Sequence, residues 1–179
     1  MKNHRLARFI RRGGIIAYPT ESCFGLGCDP RNRKAINKII KLKKRSLNKN
    51  FILIGSSTKQ FDCFINPSND ATKKNLFSKW PGPHTWVITA NNRCPNWLKS
   101  NSKIALRISS FSPCQILTES LGMAITSSSL NLSGKIPLKN YRDVCRFLPK
   151  QVKLIKGRVG KSKCPSVIQD FKTKKIIRS

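Results

Sequence analysis

An α/β fold, a twisted mixed β-sheet with flanking helices, is predicted by three features of the chain. Short apolar runs of strand length alternate with segments of helical periodicity. Gly, Pro and Asn punctuate the changes. The alternation continues to the C-terminus without a repeat, linker or low-complexity stretch, so strands and helices interleave in a single unit, 1–179, with no extra C-terminal domain expected. A chain of 179 residues can bury roughly 70% of the surface it exposes when extended.

The elements follow in order. His4 to Arg12 reads as a short basic helix with Leu6, Phe9 and Ile10 on one face, ended by Gly13-Gly14. Ile15 to Tyr18 is an apolar strand closed by Pro19. Asp29-Pro30 reads as a helix start, the Asp capping free amides and the Pro suiting the first turn. The helix it opens places Ala35, Ile36, Ile39, Ile40 and Lys43 at helical spacing, with Lys34, Lys38 and Lys41 pointing elsewhere. Phe51 to Ile54 is a second strand. Trp80-Pro81-Gly82-Pro83 is a rigid turn feeding a third, Thr85 to Ala90, and Ile104 to Ile108 is a fourth. Pro113 to Leu121 suits a helix, Met123 to Ser127 a fifth strand and Tyr141 to Leu148 another helix. Val152 to Ile155, Ser166 to Ile168 and Lys175 to Arg178 complete the strands.

Composition narrows the function classes. Hydrophobic residues make up 39%, which a disordered basic tail would lack. Lys and Arg number 36 against 7 Asp and Glu, a net charge of +29 that attracts polyanions such as nucleoside triphosphate or RNA. The plain alternative is a solvated cationic surface in a chain also rich in Asn, Ile and Ser. The seven cysteines are widely spaced and contain no Cys-x-x-Cys, so neither a disulfide framework nor a zinc site is indicated. Reduced thiols in a cytoplasmic protein are the expectation. The first residues are charged without a long apolar segment, unlike a secretory signal, and no stretch approaches a membrane span.

Several common motifs fail. Gly160-Lys161-Ser162 resembles the end of a P-loop, but the glycine needed five residues earlier is Ile155. Gly25-Leu26-Gly27 begins like a dinucleotide fingerprint, whose third glycine position is Pro30. His4 and His84 have no recognisable triad partners, and the few carboxylates leave little for an all-protein metal cage.

What remains are turns rich in hydroxyls, amides and cations. Tyr18 to Gly27 sets Thr20, Glu21 and Ser22 directly after a strand, followed by two glycines that allow close backbone approach. A capped strand–turn–helix junction would look the same. Lys43, Arg45 and Lys49 form a cluster able to clamp phosphates, or a basic last turn satisfying the helix dipole. Ser127 to Gly134 gathers hydroxyls and an amide after a strand, which suits a polar ligand and also an ordinary polar loop.

Taken together and in this order, these segments resemble the YrdC/Sua5 family. Tyr18-Pro19-Thr20-Glu21-Ser22-Cys23-Phe24-Gly25-Leu26-Gly27 is similar to its opening motif, Leu42-Lys43-Lys44-Arg45 with Lys49 to its basic motif, and Trp80-Pro81-Gly82-Pro83-His84-Thr85 to its Pro-Gly turn. Ile104-Ala105-Leu106-Arg107-Ile108 resembles its arginine strand, Ser127 to Gly134 its Ser-Thr-Ser-Ala-Asn-x-Ser-Gly loop, and Pro165 to Ile168, Asp170 and Ile177-Arg178 its closing strands. The likeness spans nearly the whole chain and stops where the family's short bacterial form stops.

The resemblance implies a YrdC-like fold and a nucleotidyltransferase that joins L-threonine, bicarbonate or CO2, and ATP into L-threonylcarbamoyladenylate, releasing pyrophosphate. That product serves the t6A37 modification of tRNAs reading codons that start with A, through a downstream t6A transferase machinery. ATP enters as substrate with Mg2+ carried on it, and no metal is expected on the protein itself. The resemblance gives Lys43, Arg45, Ser129 and Asn131 as the catalytic set. It places threonine near Thr20, Arg107, Ser129 and Ser166, and ATP near Arg45, Lys49, Asn131 and Arg178. The chain departs from the family pattern at Ser46, where a Pro is usual, at Ile54-Gly55, where a His is frequent, at Ser110-Phe111-Ser112-Pro113, and at Leu130, where a small Ala is usual.

Three rivals stand beside this. The charge suits a non-enzymatic protein on the same fold that binds tRNA or double-stranded RNA by a basic surface, although RNA modules with aromatic platforms are missing. A hydrogenase-maturation carbamoyltransferase shares the fold but is a much longer chain. A decayed homologue would keep the fold without the chemistry.

Overall fold

The computed structural model describes residues 4–44, 51–66, 75–132 and 134–179. Its centre is a nine-stranded sheet of β1 (Ile15–Pro19), β2 (Phe24–Gly27), β3 (Ile52–Gly55), β4 (His84–Thr89), β5 (Lys103–Ile108), β6 (Ile125–Ser129), β7 (Val152–Leu154), β8 (Val167–Asp170) and β9 (Ile176–Arg178). The spatial order is β7-β1-β2-β6-β3-β5-β4-β8-β9. β1/β7, β3/β5 and β4/β8 run parallel and the other neighbours antiparallel, so the sheet is mixed as predicted. Among the described residues, the α-helices used below are α1 (His4–Arg11), α2 (Arg33–Lys43), α3 (Ser112–Leu121) and α4 (Tyr141–Phe147).

β1 is buried along its whole length, which in a strand means cover on both faces. Ile15 and Ala17 join one apolar cluster with Ile36 and Ile39 of α2; Ile16 and Tyr18 join the other, with Leu6 and Ile10 of α1 and Leu117 and Leu121 of α3. The alternation along one strand therefore divides the interior between α2 on one side and the α1–α3 pair on the other. The buried face of α1 is Leu6, Ala7 and Ile10, with Phe9 only half-buried.

Two local expectations are corrected. Phe24–Gly27 is a strand, not part of a turn leading to a helix. Its glycines are approached by the protein itself: a Cβ on Gly27 would stand 2.8 Å from the Thr126 carbonyl and 2.9 Å from the Tyr18 ring. Asp29 does not cap α2. The cap is Asn32, whose Oδ1 accepts from the Ala35 amide at 3.0 Å, while Asp29 is held by the Arg31 guanidinium at 3.0 and 2.9 Å. An Asx side chain caps the amide two or three residues on, and α2 begins too late for Asp29 to reach it.

β6 is the join between the halves. Its later residues pair with β2 (Gly25 opposite Ser129) and its earlier ones with β3 (Ile52 opposite Ser127). No helix among the described residues is long and apolar enough to cross a membrane.

Candidate active site

Three groups of polar side chains lie around the β1–β2 turn. The turn is closed by Thr20, whose amide and hydroxyl both donate to the Cys23 carbonyl, at 2.9 and 2.7 Å. The hydroxyl keeps its lone pairs for a ligand but has committed its proton to the turn. Cys23 beside it is buried, and burial pushes its thiol pKa up.

The first group is Lys43, Ser129 and Asn131. Lys43 shares the inner face of α2 with Ala35, Ile36 and Ile39 and is only 3% exposed. Its ammonium donates to the Ser129 carbonyl, to the Asn131 carbonyl at 2.9 Å and to Asn131 Oδ1 at 2.8 Å. Ser129 Oγ donates to the same Oδ1 at 2.7 Å, and Asn131 Nδ2 donates to the Lys135 carbonyl. A buried ammonium with three oxygen acceptors fixes the loop after β6 and sets a positive charge beneath it. Leu130 is fully buried, so the side chain in place of the family's small residue points into the interior and away from this polar set.

The second group is Glu21, Arg107 and Ser109. Arg107 donates from Nε to the Gly82 carbonyl at 2.9 Å and from Nη2 to Glu21 Oε1 at 2.6 Å. Ser109 Oγ donates to the same carboxylate oxygen. The Glu21 and Arg107 side chains are 16% and 11% exposed, so the pair is mostly withdrawn from water, where such an ion pair is strong and removing one partner is costly. The Pro-Gly turn supplies the Gly82 carbonyl. Three elements thus hold one guanidinium and leave three of its five N–H donors for a ligand.

The third group is Ser166, Thr85 and Arg178. The Thr85 and Ser166 hydroxyls are 2.8 Å apart. Arg178 donates to the Ser166 carbonyl at 3.2 and 2.7 Å and to its hydroxyl at 3.2 Å. Much of Arg178 is exposed, but its guanidinium end lies against Ser166. Partial burial there, and then the charge of Arg107, hold its pKa below the ordinary arginine value. Two guanidiniums that feel one another make a corner suited to an anion.

The turn connects the groups. Gly25 pairs with Ser129 across β2 and β6, and a Cβ on Gly25 would stand 3.2 Å from the Thr20 methyl. Glu21, the next residue, reaches Arg107. Lys43, Ser129 and Asn131 therefore come together as the resemblance implies, with Thr20 beside them, and Arg107, Ser166 and Arg178 form the cationic side. Arg45, Lys49 and Ser133 lie outside the described residues. The sequence reading assigned no role to Glu21, Ser109 or Thr85. Ser109 lies one residue beyond β5, and the period-two spacing of an extended chain from Arg107 could have found it. Among the described residues no group of three or more His, Cys, Asp or Glu side chains could hold a metal ion.

Fold and site together define an α/β protein with cationic and hydroxyl side chains gathered around a strand–turn–strand. The chain belongs to the Sua5/YciO/YrdC family, described as "Telomere recombination", whose sequence profile matches residues 8–179. It is 40% identical over 179 residues to the threonylcarbamoyl-AMP synthase of Methylobacillus flagellatus, covering 99% of each chain. It is 39% identical over 175 residues to that of Thiobacillus denitrificans, covering 97% of this chain and 93% of the other. Among solved structures it is similar to P. abyssi Sua5 complexed with L-threonine, at TM-score 0.83 and 26% identity, over 93% of this chain and 49% of that one, so it spans about half of the longer protein. E. coli YciO matches at TM-score 0.82 and 25% identity, over 98% and 87% of the two chains.

Proposed function

We propose that the chain is a threonylcarbamoyl-AMP synthase, a nucleotidyltransferase acting in the cytoplasm. It takes L-threonine, bicarbonate or CO2, and ATP, and yields L-threonylcarbamoyladenylate and pyrophosphate for t6A modification of tRNA by a downstream transferase. The observation that carries this reading is the linkage, through the Thr20–Glu21 turn, of the Arg107 corner to the Lys43–Ser129–Asn131 loop. It stands in a chain whose full-length relatives are named for this product.

The chemistry asks mainly for position and charge. The neutral threonine amine adds to CO2 and loses a proton, giving a carbamate. A carbamate oxygen then attacks the α-phosphorus, a P–O bond forms, and the bond to the β-phosphate oxygen breaks as pyrophosphate leaves. The nucleophile is already anionic, so no side chain has to deprotonate it at that step. Positioning two anions against each other and neutralising them is the larger demand. In this reading Arg107, steadied by Glu21 and Gly82, takes the threonine carboxylate. Thr20 Oγ1 and Ser129 accept from or orient its hydroxyl, and Ser166 closes that side. Asn131 and Arg178 face the nucleotide with Arg45 and Lys49, and Lys43 holds the Ser129–Asn131 loop and lends its charge. Mg2+ arriving on the nucleotide would supply further neutralisation at the phosphates.

The test is mass spectrometry of a reaction containing ATP, Mg2+, L-threonine and isotopically labelled bicarbonate. The expected result is a threonylcarbamoyladenylate ion carrying the label, absent when threonine or ATP is omitted. A folded protein that forms no adenylate overturns the proposal. Persistent RNA binding in that case would favour the non-enzymatic reading.

A further inference from the structure

The connection from β7 to β8 runs along the turn that carries Thr20 and Glu21. Ile155 first extends the β7 pairing, its amide donating to the Ala17 carbonyl of β1 at 2.8 Å. Two further backbone bonds fall on the turn itself. The Gly160 amide donates to the Thr20 carbonyl at 2.9 Å, and the Ser162 amide to the Glu21 carbonyl at 3.0 Å. From Ile155 to Gly160 the connection advances five residues while the facing chain, from Ala17 to Thr20, advances three, so two extra residues arch past Pro19. Gly157 lies in that arch, where a Cβ would stand 2.8 Å from Pro19 Cγ. The segment 156–165 is thus a strap across the turn, and it leads directly into Ser166 and β8.

Side chains do little to hold it. Lys156, Arg158 and residues 161–165 are exposed, and Val159 alone among its apolar side chains packs against the cluster on the α2 side. The tie is made by backbone, and it is closest at Gly160. A Cβ there would stand 2.7 Å from the Glu21 carbonyl oxygen and 3.0 Å from Glu21 Cα. These are backbone atoms, which cannot swing aside as the tip of a long side chain can. The Gly160 φ is not positive, so glycine is needed at this position for the approach and not for the backbone conformation. Gly160-Lys161-Ser162, which fails as the end of a P-loop, thereby gains a different role.

We propose that Gly160 and Ser162 are positioning residues for the threonine side of the site: they fix the backbone of Glu21, whose carboxylate in turn fixes Arg107. The identity of the ligand rests on the functional reading above. One Glu21 oxygen accepts from both Arg107, at 2.6 Å, and Ser109, and it stays between these donors only while its own Cα stays in place. A loop that merely joined β7 to β8 would leave the Thr20 and Glu21 carbonyls to water and would accept a side chain at position 160. The ties fall on the turn and not on the Ser129–Asn131 loop, and Ser166 is anchored separately by Thr85, so the nucleotide side is largely spared.

Three variants test this. Gly160→Ala sets a methyl against Glu21, Ser162→Pro deletes the amide that donates to the Glu21 carbonyl, and Ser162→Ala keeps that amide. All are checked for native circular dichroism. The first two should raise the threonine KM on the order of tenfold and the ATP KM less than about twofold, read by pyrophosphate release. Ser162→Ala should restore the threonine KM to within about twofold of the parent. Added to Glu21→Gln, Gly160→Ala should raise the threonine KM by less than about threefold more, because the route it acts through is already broken. Two measurements by NMR do not depend on activity. Exchange of the Arg107 guanidinium protons should quicken in Gly160→Ala and Ser162→Pro but not in Ser162→Ala. In the parent, the Gly160 and Ser162 amides should exchange more slowly than those of Lys161 and Lys163, which make no such bond to the turn. Unprotected Gly160 and Ser162 amides overturn the proposal. So do an unchanged threonine KM in both folded variants, equal rises for threonine and ATP, or full additivity with Glu21→Gln. A parent without threonine-dependent pyrophosphate release counts against the synthase reading; quickened Arg107 exchange then still sustains the strap, and unaltered exchange overturns it.

Discussion

At the residue scale, Glu21 carries the most information. Its one carboxylate oxygen accepts from both Arg107 and Ser109, so it sets where the guanidinium points. Glu21→Gln keeps the shape and removes the charge, and the amide must turn either its oxygen or its N–H to two donors. Charge-assisted hydrogen bonds contribute about 1.5–3 kcal/mol. We expect the threonine KM to rise on the order of tenfold while the ATP KM changes less than about twofold, measured by pyrophosphate release. A lower threonine KM would mean that Glu21 competes with the substrate carboxylate and does not position Arg107. Thr20 shows why residue roles were only partly legible. The motif places its hydroxyl at the site, but the sequence cannot tell that the proton is used to close the turn. Lys43 was legible as a cation at helical spacing. Its burial and its grip on the Ser129–Asn131 loop depend on a partner 86 residues away for Ser129 and 88 for Asn131, which no local pattern encodes.

At the element scale, most strands and helices follow from local apolar runs and breakers, and they fall within a few residues of expectation. β2 does not. Phe24 and Leu26 alternate with glycines, and glycine is a poor strand residue unless something packs where its side chain would be. That something is the Tyr18 ring and the Thr126 carbonyl, both supplied by other strands. The start of α2 was misplaced because Asp29 and Asn32 are both good caps by type, and Asp29, too far ahead of the helix, accepts instead from the Arg31 amide and guanidinium. The glycine argument has a direct consequence. Gly27→Ala should destabilise the protein by about 1–3 kcal/mol, because the added methyl meets backbone and ring at under 3 Å and neither yields easily. The melting temperature should fall by roughly 2–10 °C in a thermal scan. An unchanged melting temperature would show that β1, β2 and β6 can separate without cost.

At the scale of the whole molecule, the charge imbalance makes each carboxylate matter. Asp170, at the end of β8, pairs with Lys103 of β5 across the intervening β4 and also accepts from the Lys172 and Thr173 amides. The Lys103 contact, followed by the Thr173 amide, holds its pKa down to about 2. An unfolded aspartate titrates near ~3.9. Because the folded value is the lower one, the stabilisation is fully present above the unfolded value and is lost as pH falls from about 4 towards 2. Asp170→Asn retains an oxygen for the two amides and removes the ion pair. Its urea midpoint should lie below that of the parent at pH 7, and the two should converge as pH drops through that window. A gap that persists unchanged to pH 3 and below would assign the effect to packing.

The order of the strands also has a consequence for how the protein comes into being. β1 and β2, which flank the Thr20–Glu21 turn, are made well before their partners in the sheet: β6 follows about 100 residues after β2, and β7 about 135 residues after β1. At roughly 5–20 residues per second, a ribosome leaves this hairpin without both its flanking strands for about 7–27 seconds. Arg178, of the third polar group, is made later than any of these strands except its own, β9. The candidate site thus joins residues made early to residues made late, and the edges of the β1–β2 hairpin stay open until β6 and β7 follow. A chaperone that shields short exposed edges would have its longest opportunity on this N-terminal hairpin, and ligand binding would be a property of the released chain alone.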